Sequence, residues 1–324
     1  MYYPNKIEEI CFDQTHINSV WEQIQKHIPI YFQKYIDSEG GNSILQNEVE
    51  KLAAHFGASF KPGNKKRDSK KILERLLKEA IDNYENERLS YQEHLDLEAL
   101  IEYGDDVSSF KNTILKNQIP IIRKTLQNRQ AKELDKFRAA FTHAQPGDLF
   151  KVTFNIINLA NDWRNDWYDE EVFEEIETCE DLNYHDLDGE EYTAFGVIGG
   201  GIKSHFIYKL FPEMYPSRSR EAVWALYYLS GKSDFGCTEE SEFLMINVKE
   251  GSTHQNFFYP YGLFAFYALK VFIELKKLYA SEGVIIPTEY RFVAVDRFLS
   301  FVARSHQDEI DTLKQKSDSD YYDY

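Results

Sequence analysis

The amino-acid sequence predicts a mainly α-helical fold with one small β-hairpin in its C-terminal part. Apolar residues recur at three- and four-residue spacing through most of the chain, which is the period of a helix that buries one face. Only "EFLMINV" and "NFFYPYG", on either side of "KEGSTHQ", combine short length with the β-branched and aromatic residues that favour strands. We therefore expect one hairpin beside a set of helices.

The N-terminal helices are predicted from their apolar spacing and from the residues that interrupt them. "INSVWEQIQKHIPIYFQKYI" and "SKKILERLLKEAIDNY" each repeat apolar residues on one face, and Ser69 is a suitable N-cap for the second. The Pro62-Gly63 pair separates these two helices. A longer helical region, 107–142, is expected to bend or divide at Pro120, because proline removes a helix hydrogen bond.

Four helices are predicted in the C-terminal part. They correspond to "SHFIYKLF", "SREAVWALYYLSG", "LFAFYALKVFIELKKLYA" and "TEYRFVAVDRFLSFVARSHQDEIDTL". Ser219 can cap the second of them, and Gly231 can end it.

The distribution of charge suggests how the chain is divided. Between Asn161 and Glu191 there are fourteen Asp or Glu residues against the single Arg164, in a chain whose net charge is −17. A segment this acidic and without an apolar period predicts a long solvated loop. We therefore expect an N-terminal helical domain (1–160), an acidic linker (161–193), a C-terminal helical domain with the hairpin (194–316) and a flexible tail (317–324).

Composition also limits compartment and cofactors. Cys11, Cys179 and Cys237 lie far apart in the sequence, which favours neither a disulfide framework nor a cysteine-rich zinc site. The longest apolar stretch is interrupted by Lys270, so we expect a cytoplasmic protein without membrane association. No HExxH motif occurs, and "YHDLDGEEY" lacks the bidentate Glu of a calcium loop. The sequence therefore predicts no metal and no cofactor.

Two segments are basic although the chain as a whole has a negative net charge. They are "KPGNKKRDSKK" (61–71) and the region 111–138. A polyanion responds to the local field rather than to the summed charge, so these segments are candidate nucleic-acid contacts. The residues expected to contact nucleic acid are Lys65, Lys66, Arg67, Arg123, Lys124 and Arg129.

The stretch "GVIGGGIKSH" (196–205) could hold a phosphate, pack two helices together or carry a reacting lysine. A P-loop places Lys directly after its second glycine, but here Ile202 stands before Lys203. One extra residue rotates the lysine by about 100° at a helix start. The best match to the acidic partner of a P-loop, "FVAVD" ending at Asp296, lies in a helical pattern. A nucleotide-hydrolysing P-loop is therefore disfavoured.

Residues 196–230 resemble the helix-hairpin-helix segment of DNA-binding proteins, which include DNA glycosylases. Gly199, Gly201 and Lys203 fall on the Gly-x-Gly-x-Lys turn of that family. The resemblance implies that backbone N–H groups of the turn hold a DNA phosphate, and in lyase members the lysine is the nucleophile. The family's catalytic Asp is absent from "YPSRSREA", so the resemblance favours phosphate contact over glycosylase chemistry. The phosphate-binding residues it implies are Gly199, Gly200, Gly201, Lys203 and Ser204.

Two alternatives remain at the level of sequence. The glycines could instead serve only close helix packing or φ > 0 turns, with Lys203 exposed to solvent. Separately, Arg138 and His143 in "RAAFTH" have the Arg-x4-His spacing of HEPN ribonucleases, in which His moves a proton and Arg stabilises phosphorane-like charge. Arg138, His143 and Lys203 are therefore the catalytic candidates.

These patterns together predict a nucleic-acid-associated protein. DNA or RNA is the expected partner, with phosphates bound by the glycine-rich turn and the basic segments, and the acidic segment could restrain that binding. The alternatives are an acidic subunit that docks a basic protein through 161–191 or mimics DNA, and a HEPN-like ribonuclease. The sequence leaves open whether the protein is an enzyme.

Overall fold

The residues that the structure describes form thirteen α-helical segments, as the helical spacing of apolar residues in the sequence indicates. The structure is a computed structural model that describes residues 7–39, 68–237, 242–247 and 252–315. The N-terminal helices are α1 (Ile7–Ile10), α2 (Gln14–Glu39), α3 (Ser69–Leu95), α4 (Leu97–Tyr103), α5 (Val107–Ser109), α6 (Pro120–Gln127), α7 (Asp135–His143) and α8 (Pro146–Asp166). The C-terminal helices are α9 (Gly200–Leu210), α10 (Arg220–Leu229), α11 (Tyr261–Ser281), α12 (Arg291–Arg304) and α13 (Gln307–Gln315).

The predicted mainly α fold is confirmed. The predicted cap of α10 is also confirmed, because Ser219 Oγ accepts a hydrogen bond from the Ala222 N–H at 3.1 Å. The cap of α3 differs from the prediction: the helix begins at Ser69, but the side chain of Asp68 accepts the hydrogen bond from the Lys71 N–H.

The region 107–142 divides at Pro120, as predicted, and also at a second place. A π-helical stretch, Phe110–Gln118, continues α5 and ends just before the proline. After α6 the chain leaves the helix at Asn128 and re-enters it at Asp135. The Arg138 guanidinium donates to the carbonyls of Asn128 and Ala131, which stabilises this second break.

The hairpin lies where it was expected, but its second strand is shifted. Strand β1 (Leu244–Asn247) pairs antiparallel with β2 (Ser252–Gln255), with Leu244 opposite Gln255. The second strand is therefore "STHQ" rather than the predicted "NFFYPYG". The aromatic run leaves the sheet because Asn256 forms a turn, its side chain accepting from the Phe258 N–H, and Pro260 is the N-cap residue of α11.

The core is formed by helices from both ends of the chain. Helix α2 packs against α10, α11 and α12, and α9 packs against α3 and α8. The hairpin contacts α10 and α13. Helices on both sides of the predicted linker are thus in direct contact, and the division into domains stays a prediction.

The acidic segment contributes to this core. It contains four short 3-10 turns: Phe173–Glu175, Glu180–Leu182, His185–Asp188 and Glu190–Tyr192. Several of the apolar side chains between its carboxylates are buried, among them Phe173, Cys179, Leu182, Tyr184 and Leu187. The expectation of a solvated loop overlooked them because short 3-10 turns give no long apolar period.

Candidate functional site

A polar pocket of about 640 Å³ lies between α3, α9 and α12, with α6 and α10 at its rim. This volume falls in the range of pockets that bind small molecules. The side chains that determine its chemistry are Asn83, Tyr84 and Glu87 from α3, Lys124 from α6, His205, Tyr208 and Lys209 from α9, and Asp296, Arg297, Ser300 and Arg304 from α12.

Helical spacing explains why these side chains meet. On α9, His205 and Lys209 are four residues apart, and on α12 the same spacing relates Asp296, Ser300 and Arg304. Residues four apart project from the same side of a helix. The pocket is therefore formed where polar faces of mostly apolar helices meet.

One carboxylate in the pocket binds two lysines. Glu87 Oε1 lies 2.5 Å from Lys124 Nζ, and Glu87 Oε2 lies 2.9 Å from Lys209 Nζ. Burial opposes ionisation of this carboxyl, but the hydrogen bonds and charges of the two lysines outweigh burial and lower the pKa of Glu87 to about 2. Lys209 is buried and also lies 4.6 Å from the ring centre of Tyr84, whereas the Lys124 side chain is 68% exposed.

Asp296 differs from Glu87, because no hydrogen bond or ion pair reaches its carboxylate from the described residues. Burial raises the pKa of Asp296 to about 6, although the positive charges of Lys209 and Arg297 oppose the shift. A carboxyl group with this pKa exchanges a proton near neutral pH. A perturbed carboxyl in a cleft, without an internal partner, is a frequent property of functional sites.

His205 contributes a neutral imidazole to the same wall. Its Nδ1 lies 3.3 Å from Ser217 Oγ, and the ring of Tyr91 packs edge-on against it. Burial, with the nearby charge of Lys209, lowers the pKa of His205 to about 3, so the ring carries no charge at neutral pH.

We expect Asp296→Asn to stabilise the protein at neutral pH. The folded pKa of about 6 lies above the ordinary 3.8, so this group contributes stability that is fully present below about pH 4 and lost as pH rises through 6. The whole shift, (6 − 3.8) × 1.36, is about 3 kcal/mol, and we expect about half of it because the pocket is open to water. Urea denaturation at pH 7.5 should therefore show the variant to be about 1.5 kcal/mol more stable than the parent. The difference should vanish near pH 4; a variant less stable at both pH values would contradict this assignment.

The glycine-rich turn lies apart from the pocket lining, except that His205 follows it. Gly196 has φ +76°, and an isolated bridge joins Ala194 to Ile198 around it. Gly199 precedes α9, and a Cβ at Gly200 would lie 1.9 Å from Nη1 of the buried Arg218. The absence of a side chain at Gly200 therefore makes room for a guanidinium.

Lys203 and Ser204 point inwards from α9. Lys203 is buried, and its ammonium donates to the Leu187 carbonyl and to Thr193 Oγ1. Burial lowers the pKa of Lys203, with a partial opposing effect from Asp188. Ser204 Oγ accepts from the Arg218 N–H at 3.0 Å. The expectation of an exposed Lys203 is thus wrong, because this lysine joins α9 to the acidic segment.

This placement gives the turn a packing role. Gly200 leaves space for Arg218, and Lys203 and Ser204 make internal hydrogen bonds. The use of Gly199, Gly200, Gly201, Lys203 and Ser204 for phosphate stays a prediction.

The residues expected to contact nucleic acid have different surroundings. Lys65, Lys66 and Arg67 lie outside the described residues. Arg129 is exposed, and Arg123 donates to the Asn117 carbonyl. Lys124 alone among them lines the pocket.

Arg138 and His143 do not form a paired site in this geometry. Besides its two carbonyl contacts, Arg138 lies 2.5 Å from Asp135 Oδ1. His143 is exposed at the end of α7. Five residues along a helix correspond to a rotation of about 140°, so the two side chains leave the helix in different directions. Their role in RNA cleavage stays a prediction.

The pocket residues could be found in part from the sequence. Asp296 can be singled out in the sequence as the one acid in "FVAVD". Its helical context argues against a P-loop role but suggests no other role. Lys209 is missed because Lys203 follows the glycines more closely. The useful signal is the four-residue spacing of polar side chains in apolar helices, which marks polar faces but does not show that they meet.

Fold and site together define a helical protein with a charged, partly buried pocket. Comparisons with protein-family models, with curated proteins and with solved structures find no match to this chain. In the described ranges, no cluster of three or more His, Cys, Asp or Glu side chains could hold a metal ion. None of the helices described here is long and apolar enough to cross a membrane.

Proposed function

We propose that the protein binds single-stranded nucleic acid and that the polar pocket receives a phosphate-bearing nucleotide of the strand. The observation that carries this proposal is the group of Lys124, Lys209 and Glu87. Two positive charges share one negative charge, so this group has a net charge of +1. A phosphate can therefore bind without a counter-charge being supplied from elsewhere.

The position of the cations supports a strand rather than a duplex. Lys124 and Arg304 are exposed at the pocket, where a backbone phosphate can reach them. A double helix is too wide to enter a pocket of about 640 Å³, whereas an unstacked nucleotide is of suitable size. In this proposal Lys124 connects the pocket to the basic region 111–138, and the glycine-rich turn holds the wall in place.

The acidic segment affects where a nucleic-acid strand can bind, because part of its negative charge lies at the surface. Glu174 binds Lys276 and Arg291, and the Lys270 ammonium donates to the Ile176 carbonyl, so these contacts fix part of the segment on α11 and α12. Exposed carboxylates on the segment repel a polyanion, so a strand should avoid that face.

A second candidate function is the docking of a basic protein on the acidic segment. It is supported by Trp167, whose side chain is 68% exposed within this acidic stretch. Exposed aromatic residues are enriched in protein interfaces.

Fluorescence anisotropy with labelled oligonucleotides over a range of salt concentrations tests the nucleic-acid proposal. We expect single strands to bind more tightly than duplexes. The double variant Lys124→Gln/Arg304→Gln should bind about 10-fold more weakly, and the slope of log K against log salt should fall by about 1.4, or roughly 0.7 for each lost phosphate contact.

A matched control separates the pocket from general charge. Lys26→Gln/Arg220→Gln removes two exposed cations outside the pocket lining and should leave affinity and slope within about twofold of the parent. Equal weakening by both double variants would contradict a pocket site. Absence of polynucleotide binding even at low salt would overturn the proposal and favour the acidic docking surface.

A further inference from the structure

The charges of the pocket are arranged from its interior to its rim. Asp296 is partly buried in the wall formed by α12, whereas the Lys124 side chain is 68% exposed and Arg304 lies two helical turns beyond Asp296 on the same helix. An anionic group of a ligand is attracted to the exposed cations. A part of the ligand that enters more deeply meets the carboxylate of Asp296 and the buried Lys209, which is paired with Glu87.

The carboxylate of Asp296 is open to donors from a ligand. Among the described residues no N–H or O–H donates to it, while the carboxylate of Glu87 is bound by two lysines. An ionised carboxylate accepts hydrogen bonds only and has capacity for several of them. The side chain is only partly buried and lines the pocket, so ligand N–H groups can reach these oxygens and replace water there.

Other ligand classes fit the pocket less well. A polyamine would satisfy Asp296, but it would be repelled by Lys124, Lys209, Arg297 and Arg304. Inorganic phosphate would satisfy the cations and leave Asp296 without a donor. A ligand that carries N–H donors at one end and a phosphate at the other satisfies both groups.

Resting on the proposed function, we infer that the pocket selects the base of the bound nucleotide and that Asp296 recognises the Watson–Crick edge of guanine. Guanine presents two adjacent donors there, its N1–H and its exocyclic amino group, which one carboxylate can accept together. Adenine and cytosine present a single amino donor beside a ring-nitrogen acceptor, and uracil presents one N–H between two carbonyl oxygens. Reading the Watson–Crick edge of an unstacked base is the usual mode of sequence-specific recognition of single strands.

The charged groups around Asp296 are compatible with this role. Lys209 from α9 and Arg297 on its own helix favour the ionised form, whereas Glu87 and Glu221 from α3 and α10 disfavour it. Burial keeps the pKa of Asp296 near 6, so the carboxylate is mostly ionised and able to accept at pH 7.5.

Isothermal titration calorimetry of the whole protein with GMP, AMP, CMP and UMP at pH 7.5 tests the inference. We expect GMP to bind at least about 10-fold more tightly than UMP, which is the discrimination typical of a bidentate contact to a base. Asp296→Asn should weaken GMP binding by about 10-fold and remove the order among the four nucleotides, because an amide accepts through one oxygen only.

Two further measurements make the result decisive. Glu282→Gln, which neutralises an exposed acid outside the pocket lining, should leave the order unchanged. Urea denaturation should show that Asp296→Asn is folded. Equal binding of the four nucleotides by the parent, or a GMP preference retained by Asp296→Asn, would overturn the inference and leave the proposed function standing. Failure of all four to bind would also overturn the inference, and the oligonucleotide assay would then decide the proposed function separately.

Discussion

Arg291→Ala is expected to lower the free energy of unfolding by about 4 kcal/mol. Arg291 is completely buried, and its Nη1 donates to the Glu213 carbonyl at 2.9 Å. Its Nη2 lies 3.3 Å from Glu174 Oε1. The guanidinium lies 4.7 Å from the ring centre of Phe173 and 5.3 Å from that of Phe272.

The size of the effect follows from what the truncation leaves behind. Truncation of a large buried side chain typically costs 2–5 kcal/mol, and here the hydrogen bonds of a charged guanidinium to the Glu213 carbonyl and to Glu174 are lost as well, although Glu174 keeps its ion pair with Lys276. The Arg291 guanidinium also contacts both Phe173, on the acidic segment, and Phe272 on α11, and the truncation removes both contacts. We therefore expect the acidic segment to lose part of its attachment to the helical core.

Urea denaturation followed by circular dichroism measures this loss. Arg220→Ala removes an exposed arginine at the start of α10 and should change stability by no more than about 0.5 kcal/mol. Arg291→Met, which keeps much of the volume without the charge, should be intermediate. A loss below about 1 kcal/mol for Arg291→Ala would show that the buried guanidinium does not hold the segment.

The second large effect is expected at the glycine-rich turn, where Gly200→Ala should destabilise the protein by about 3 kcal/mol. The new Cβ would lie 1.9 Å from Arg218 Nη1, and the guanidinium cannot move without leaving its partners. Arg218 Nη2 donates to the carbonyls of Asn256 and Phe257, both at 2.9 Å. Hydrogen bonds to charged groups contribute about 1.5–3 kcal/mol each, which exceeds the gain of up to about 1 kcal/mol from replacing glycine by alanine in a helix.

The neighbouring glycine provides a matched control. A Cβ at Gly199 would meet nothing within 4 Å, and the residue has φ −99°, which any amino acid can adopt. Gly199→Ala should therefore change the urea midpoint very little. Similar losses for the two alanine variants would mean that the space for Arg218 is not the reason for the glycine at position 200.

The glycine-rich turn shows how far the sequence can be interpreted. Three consecutive glycines correctly indicate that something approaches the backbone closely, but not whether it is a phosphate or a side chain of the same protein. The approaching group is Arg218, which is eighteen residues from Gly200 in the sequence and has no periodic relation to it. Only the packing of the chain shows that they meet.

The helices could be predicted from local sequence patterns, whereas the residues of the pocket could not. The helices were predictable because apolar spacing along one segment determines a buried face, as in α2 and α10. The second strand was predicted too far along the chain because aromatic residues are common both in strands and at buried helix starts. Here Pro260 is the N-cap residue of α11, so the helix begins directly after it. The pocket unites residues from five helices, and such long-range proximity leaves no local pattern.

If a phosphate binds in the pocket as proposed, the sharing of Glu87 by Lys124 and Lys209 has a consequence for the kinetics of its binding. Before the phosphate arrives, Glu87 forms an ion pair with the exposed Lys124, and the phosphate can replace Glu87 in that pair. An arriving phosphate can take over Lys124 while Lys209, 2.9 Å away on the buried side, keeps Glu87 neutralised. The exchange exposes no unpaired charge at any stage, so this contact adds little to the barrier for ligand entry or release.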